Sequence, residues 1–151
     1  MERCSKRLNK TVMGRYTIVD HTADAGLEIE ALSLRDLLQT AARGMFHLIC
    51  PQCVIAAQEK HDIHVSGDDT AELLVNWLSE LNYLFQVQQF LFADVVHFKW
   101  TNGRLSAQIA GETINPQRHS IHTEIKAITY HKIMAQQESP GKWRALLFFD
   151  L

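Results

Sequence analysis

Two acidic residues of this chain stand at strand-like positions that are widely separated in sequence. Asp24 ends the polar part of the stretch VDHTADAGLEIEALS and immediately precedes an alternating apolar pattern. Asp150 is the penultimate residue of an apolar stretch, so its carboxylate stands beside the terminal carboxylate of Leu151. Carboxylate oxygens are ligands of hard cations, and calcium, magnesium and manganese all suit such a set. These residues predict a divalent-cation site, provided that the fold brings them together.

Lys126 is the candidate basic partner of these acids. Two anions that are brought together repel each other, and either a cation or a nearby ammonium group relieves the repulsion. The stretch TEIKAIT places Lys126 and Glu124 on one face of a predicted strand, between apolar neighbours. Lys126 therefore either meets the acids or forms an ordinary surface ion pair across the sheet, and the spacing alone favours the ion pair.

The stretch HLICPQC suggests metal or redox chemistry at His47, Cys50 and Cys53. A structural zinc site needs four ligands, usually from two such pairs, and the sequence has no second pair. Redox-active thiols typically stand at a helix N-terminus, where the helix dipole lowers their pKa, whereas this pair follows a predicted helix. The odd number of cysteines, three, also argues against a disulfide framework. We expect a helix-ending turn with free thiols in a reducing compartment.

The other motifs of the sequence support few enzyme classes. His61 and His64 lie three apart on a predicted strand, so they face opposite sides and are poorly placed to share a metal ion. The sequence contains no glycine-rich phosphate loop, no nucleophile elbow and no HExxH helix. Most familiar enzyme classes therefore have no motif to support them.

Length, charge and hydropathy bound the class of protein. The 151 residues suit a single domain, and 46% hydrophobic with 21% charged residues is an ordinary globular composition. A formal net charge of -2 gives no large positive field, so we expect no strong direct nucleic-acid binding. No apolar run approaches the roughly 20 residues that cross a bilayer, and the N-terminus lacks the apolar core of a secretory signal. We expect no membrane association and a cytoplasmic location.

The N-terminal segment differs in charge from the rest of the chain. Its basic residues outweigh Glu2 and are Arg3, Lys6, Arg7, Lys10 and Arg15. We interpret residues 1–14 as a flexible basic tail, with a partner-binding arm as the alternative. Residues 15–151 then form the folded domain.

Two helices are predicted from capping signals and apolar stripes. Ser33 with Asp36 resembles a capping box and opens a helix that Pro51 ends. Asp69 with Glu72 opens a second helix, whose wide apolar face runs to about residue 88.

Period-two alternation predicts about seven strands around these helices. A first pair lies at 16–19 and 25–31, one strand lies at 61–66, and four follow residue 88, with turns at TNGR and SPGK. The third of these four begins at Thr123. Tight turns between most strands predict an α+β fold, a single domain with a largely antiparallel β-sheet of about seven strands and two helices packed on it.

Five separated motifs of the sequence resemble those of the archease family. They run in family order over nearly the whole chain: YTIVDHTADAG at 16–26, SLRDLLQTAARGMF at 33–46, LLVNWLSELNYLF at 73–85, EIKAITYH at 124–131 and the terminal FFDL. Agreement at five places is far more specific than any single short motif. The chain departs from the family pattern at Ala25, where a larger aliphatic residue is common, and in its basic N-terminal extension.

The resemblance implies an accessory protein, not an enzyme. Its partner would be the GTP-dependent tRNA-splicing RNA ligase, which joins a 2′,3′-cyclic phosphate or 3′-phosphate end to a 5′-hydroxyl. The accessory protein promotes guanylylation of the ligase histidine and multiple turnover, in tRNA splicing or RNA repair, and needs metal-binding acids.

The matching motifs carry the family's functional positions onto this chain. They assign activation to Asp24, Lys126 and Asp150. The predicted metal ligands are Asp24, Asp150 and the carboxylate of Leu151, with Asp20 and His21 as weaker candidates beside the same loop.

Two other functions stay open from the sequence. A chaperone-like protein-interaction module, an idea also attached to this family, would change the folding or oligomeric state of client proteins, and this effect would persist after its acids are neutralised. A metal-dependent phosphoester hydrolase would use the same acids to activate water, although the sequence shows no general base or substrate pocket.

Overall fold

The computed structural model describes residues 14–20 and 24–151, without the side chain of Asp20. The predicted basic tail, residues 1–14, therefore lies outside the described residues apart from Gly14. The described elements are, in chain order, β1 (Arg15–Asp20), β2 (Asp24–Ala31), α1 (Leu34–Ile49), β3 (Glu59–Ser66), α2 (Thr70–Gln88), β4 (Phe90–Thr101), β5 (Arg104–Thr113), β6 (Ala127–Ser139) and β7 (Lys142–Asp150).

The seven described strands and two helices confirm the predicted α+β fold. The strands divide into two antiparallel sheets, with the orders β1-β2-β7-β6 and β3-β5-β4. The chain crosses between the sheets twice, from β2 through α1 to β3 and from β5 through residues 114–126 to β6. α1 contacts β2 and β4 while α2 contacts β6 and β3, so the helices pack between the two sheets.

Side-chain caps fix the start of α1. The Ser33 hydroxyl accepts a hydrogen bond from the backbone N–H of Asp36 at 3.0 Å, as the sequence predicts. The buried Asp36 carboxylate accepts from the backbone N–H groups of Leu32 and Gly14, both at 2.9 Å. In a standard capping box this carboxylate would bond the N–H of Ser33 itself. Asp36 instead ties the helix start to the residue before β1.

A buried indole joins the two helices. Asp69 caps α2 by accepting from the backbone N–H of Glu72 at 2.8 Å. The fully buried Trp77 donates from Nε1 to the carbonyl oxygen of Leu38 in α1 at 2.9 Å. Because a buried indole N–H without a partner is costly, this bond helps to set how the helices meet. Around it, apolar side chains of both helices and both sheets form one hydrophobic core.

The turns largely follow the sequence signals, but one strand begins later than predicted. Asn102 and Gly103 connect β4 to β5 with φ of 51° and 76°, the left-handed pair that an Asn-Gly hairpin requires. β6 begins at Ala127, so the prediction of a strand from Thr123 is wrong for its first residues. Among those residues, the carbonyl oxygen of Ile125 accepts hydrogen bonds from Asn82 and Gln86 of α2, both at 2.8 Å. Neither described helix has the length and apolar character needed to cross a membrane.

Candidate functional site

Asp24 and Asp150 lie directly opposite each other on adjacent strands. Asp24 opens β2, Asp150 ends β7, and the two residues are Cα register partners. Opposed residues of an antiparallel pair project to the same face, with Cβ atoms about 4.5–5.5 Å apart. The fold therefore places two carboxylates from distant parts of the sequence side by side at one end of the four-stranded sheet.

Lys126 reaches the same end of the sheet through its backbone. Its N–H donates to the carbonyl oxygen of Asp150 at 2.8 Å, and the next residue, Ala127, is the register partner of Asp150. The Lys126 side chain is exposed. It takes part in no ion pair within residues 14–20 and 24–151, so the alternative of a surface ion pair finds no support there.

Two amide side chains of α2 hold the segment that leads into Lys126. Asn82 Nδ2 and Gln86 Nε2 each donate to the carbonyl oxygen of Ile125 at 2.8 Å. Asn82 is buried, and its Oδ1 has no hydrogen-bond partner in the described part of the chain. Neither residue is among the candidates predicted from the sequence. The sequence does contain a signal for Asn82, an amide on the apolar face of the second helix, because a buried amide needs a hydrogen-bond partner.

An aromatic ring borders the acid pair. Phe148 is the register partner of Gly26, one alternation step from Asp24 and Asp150 on the same face of the sheet. A Cβ atom on Gly26 would lie 2.8 Å from Phe148 Cε1, an approach that real Cβ atoms essentially never show. Gly26 thus leaves room for a buried ring beside the carboxylates.

The other predicted ligands are placed less completely. Leu151 follows Asp150 and packs partly against the core. Asp20 is the register partner of Ala25, so its backbone reaches the same sheet end, while its side chain and all of His21 lie outside the described residues. Within the described ranges, no three His, Cys, Asp or Glu side chains group closely enough to hold a metal ion. The metal site stays a prediction. Of its predicted ligands, the structure places the two carboxylates of Asp24 and Asp150 opposite each other.

The free thiols predicted at Cys50 and Cys53 are contradicted by the structure. It joins the two residues in a disulfide across the turn that follows α1, with Cα atoms 5.4 Å apart. The backbone N–H of Cys53 donates to the carbonyl oxygen of Cys50 at 3.2 Å. This turn brings the two cysteines within disulfide reach, which their position after a helix did not indicate.

A second cluster of titratable groups surrounds Glu112 near the end of β5. Burial raises the pKa of Glu112, but hydrogen bonds from Arg118 and from the backbone N–H of Ala56 outweigh it, so the pKa is lowered. His119 Nδ1 accepts a hydrogen bond from the Asn115 N–H at 2.9 Å. The other ring nitrogen, Nε2, lies 3.2 Å from Glu112 Oε2. These contacts join two connecting segments to β5, and we assign the cluster a structural role.

The chain is similar to archeases over nearly its full length. The archease protein family (MTH1598/TM1083) matches residues 16–151. Protein archease of Methanopyrus kandleri is 36% identical over 136 residues, which cover 88% of this chain and 96% of that protein. Protein archease of Pyrococcus abyssi is 32% identical over 142 residues, which cover 92% of this chain and all (100%) of that protein.

Solved structures share the fold. The solution structure of Methanobacterium thermoautotrophicum protein 1598 superposes with a TM-score of 0.73 at 26% identity, covering 90% of this chain and 98% of that one. A Thermotoga maritima crystal structure, described as an archease and possible chaperone, matches in fold with a TM-score of 0.58 at 19% identity. The match covers 88% of this chain and 94% of that one.

Fold and site define a small α+β protein with paired acids at one sheet end. The chain belongs to the archease family.

Proposed function

We propose that this protein is an accessory factor that activates a GTP-dependent RNA ligase by promoting guanylylation of the ligase histidine. The proposal rests on one observation, the register pairing of Asp24 with Asp150 beside the backbone of Lys126, in a chain of the archease family. The ligase partner would serve tRNA splicing or RNA repair, and the activator itself would join no RNA.

The acid pair suits a divalent cation that is shared with a nucleotide. Magnesium is usually held by one or two protein carboxylates together with waters and phosphate oxygens, whereas calcium takes about 6–8 oxygen ligands. Asp24 and Asp150 offer two carboxylates on one face. Because two carboxylates are few for calcium, this pair would hold magnesium or manganese more readily than calcium. A bound cation would supply charge neutralisation at the phosphates of the nucleotide.

The surroundings of the acids suit an active site that is completed by a partner. Asp150 and Lys126 are exposed, so a ligase surface can reach both side chains. The Lys126 ammonium group is suited to meet a phosphate, since it is a compact charge on a flexible stem. Phe148 and Gly26 give the acids a packed border, which limits their movement when the partner binds. The net charge of -2 agrees with an action on a protein and not on RNA alone.

Guanylylation of a cognate ligase tests the proposal directly. The ligase is incubated with labelled GTP and magnesium or manganese, with and without the wild-type protein, Asp24→Asn or Asp150→Asn. We expect the wild type to stimulate labelling and each variant to lose about tenfold or more, the loss seen even when outer groups of metal sites are removed. Glu28→Gln is the matched control, because Glu28 lies on the same face of β2 but opposite Leu146.

The same experiment separates the competing functions. The chaperone alternative, suggested by the description of the Thermotoga maritima protein, predicts more folded or differently assembled ligase, and an effect that both aspartate variants keep. The hydrolase alternative predicts phosphoester turnover by the isolated protein with metal. No stimulation by a folded wild-type protein would reject the accessory role for the ligase tested.

A further inference from the structure

A cleft at the end of α1 holds two cysteines that the proposed activation does not use. Its volume is about 280 Å³, and its walls include Tyr16, Arg43, His47, Cys50, Cys53 and Phe92. Cys50 is buried at 3% exposure, whereas Cys53 is only partly buried. A small molecule in this cleft would therefore meet the Cys53 sulfur first.

The Cys50 sulfur has two partners that exclude each other. As a thiol it can donate a hydrogen bond to the carbonyl oxygen of Ser120, which lies 3.3 Å away. When it is bonded to Cys53 it has no proton to donate. Oxidation of the pair therefore exchanges a contact with residue 120 for a covalent bond within the turn.

Ser120 belongs to the segment that ends at Lys126. Two residues later, the N–H of His122 donates to the carbonyl oxygen of Ile49 at 2.7 Å, at the last residue of α1. The segment then reaches the bond from the Lys126 N–H to Asp150. The Cys50 sulfur and the backbone of Asp150 thus contact opposite ends of one short segment, residues 120–126.

We propose that Cys50 and Cys53 form a reversible dithiol–disulfide site, with a low-molecular-weight disulfide as oxidant, whose redox state controls how firmly residues 120–126 are held. A reducing compartment, expected from the composition, makes such a pair transient. Cys53 is the more exposed of the two cysteines, so its sulfur is the one that a small disulfide reaches.

The exchange balances in two steps. The Cys53 thiolate attacks one sulfur of the small disulfide, and the other sulfur leaves as a thiolate. The Cys50 thiol then loses its proton to solvent and its sulfur attacks the Cys53 sulfur, which releases the second half of the small disulfide as a thiolate. The two cysteines lose two electrons in total, and the small disulfide gains them and becomes two thiols.

The test uses the full chain with oxidised glutathione as the probe. Thiol labelling with mass spectrometry reports the bonds formed, and hydrogen exchange reports the amides of residues 120–126. Cys53→Ser removes one partner of the pair. Cys4→Ser is the matched control, because it removes the remaining cysteine and keeps the pair.

We expect the wild type and Cys4→Ser to form the Cys50–Cys53 bond without retained glutathione, and dithiothreitol to reverse it. Exchange within residues 120–126 should become faster on oxidation, by up to about threefold, because the thiol that is lost is a weak hydrogen-bond donor. Cys53→Ser should show neither change. A stable glutathione adduct on Cys53 would overturn the proposal, and so would a disulfide that leaves this exchange unchanged. Neither readout needs a ligase, so this inference and the proposed function can fail separately.

Discussion

Asp24 and Asp150 face each other across β2 and β7, as register partners on one face of the sheet. Like charges in directly opposed positions destabilise a sheet. Destabilising arrangements of this kind are expected at functional sites, where the stability of the rest of the fold compensates for them. The pairing thus marks this end of the four-stranded sheet as a candidate functional position.

A divalent cation should stabilise the wild-type protein through this pair. At free magnesium or manganese about ten times the dissociation constant, linkage gives about 1.4 kcal/mol, or roughly 3–6 °C in thermal midpoint. Asp150→Asn should lose most of this shift, and in the absence of metal it should be more stable than the wild type by up to about 1 kcal/mol. Thermal unfolding with and without metal measures both effects. Glu28→Gln should keep the wild-type shift, and an equal shift in Asp150→Asn would remove that residue from the metal site.

The Lys126 side chain should matter for activation and not for folding. Its backbone N–H makes the bond to Asp150, and any residue except proline keeps that bond. Lys126→Met should therefore change the free energy of unfolding by less than about 0.5 kcal/mol. It should lower ligase guanylylation about tenfold or more if the ammonium group meets a charged phosphate in a desolvated site. Full stimulation by the Lys126→Met protein would contradict the role assigned to this lysine.

Asn82 should act as a positioning residue for Lys126. Asn82→Leu keeps a similar volume and removes the unpartnered Oδ1, while Gln86 still donates to the Ile125 carbonyl. The free energy of unfolding should change by no more than about 1.5 kcal/mol, in either direction, while guanylylation falls. Urea unfolding and guanylylation are measured together. Asn76→Leu is the control, since Asn76 lies on the same helix and donates to the carbonyl oxygen of Ser66 in a solvent-exposed hydrogen bond.

Loss of the Glu112 charge should destabilise the fold without touching the acid pair. Glu112→Gln weakens the charge-assisted bonds from Arg118 and Ala56, at a cost of about 1.5–3 kcal/mol in unfolding free energy. Glu138→Gln removes a more exposed partner of Arg144 and should cost less than about 1 kcal/mol. Equal destabilisation of the two variants by urea unfolding would contradict the structural role of the Glu112 cluster.

The same cluster predicts the direction of pH dependence. The pKa of Glu112 in the folded protein is lower than its ordinary value of 4.5. Its contribution to stability is therefore complete above that ordinary value and is lost as the pH falls through the lowered folded value. Urea unfolding between neutral and acidic pH should show a steeper acid loss in the wild type than in Glu112→Gln. Parallel pH curves would show that another group causes the loss.

Local signals in the sequence determine much of the fold. Ser33 and Asp69 start the two helices as predicted, because a capping side chain and its N–H lie only three residues apart. Asn102 and Gly103 form the predicted hairpin, because the turn requires two positive φ angles that these residues adopt easily. Asp24, Lys126 and Asp150 are candidates from family motifs and from their positions near strand ends.

Only the tertiary structure decided which of these residues meet. The register of β2 on β7 places Asp24 opposite Asp150, and a shift of one residue would have turned one of them to the other face. The late start of β6 depends on hydrogen bonds from α2 to Ile125. The Cys50–Cys53 pairing depends on how the chain turns after α1. Each of these features depends on the path of the chain or on partners from another element, and local propensity carries little information about either.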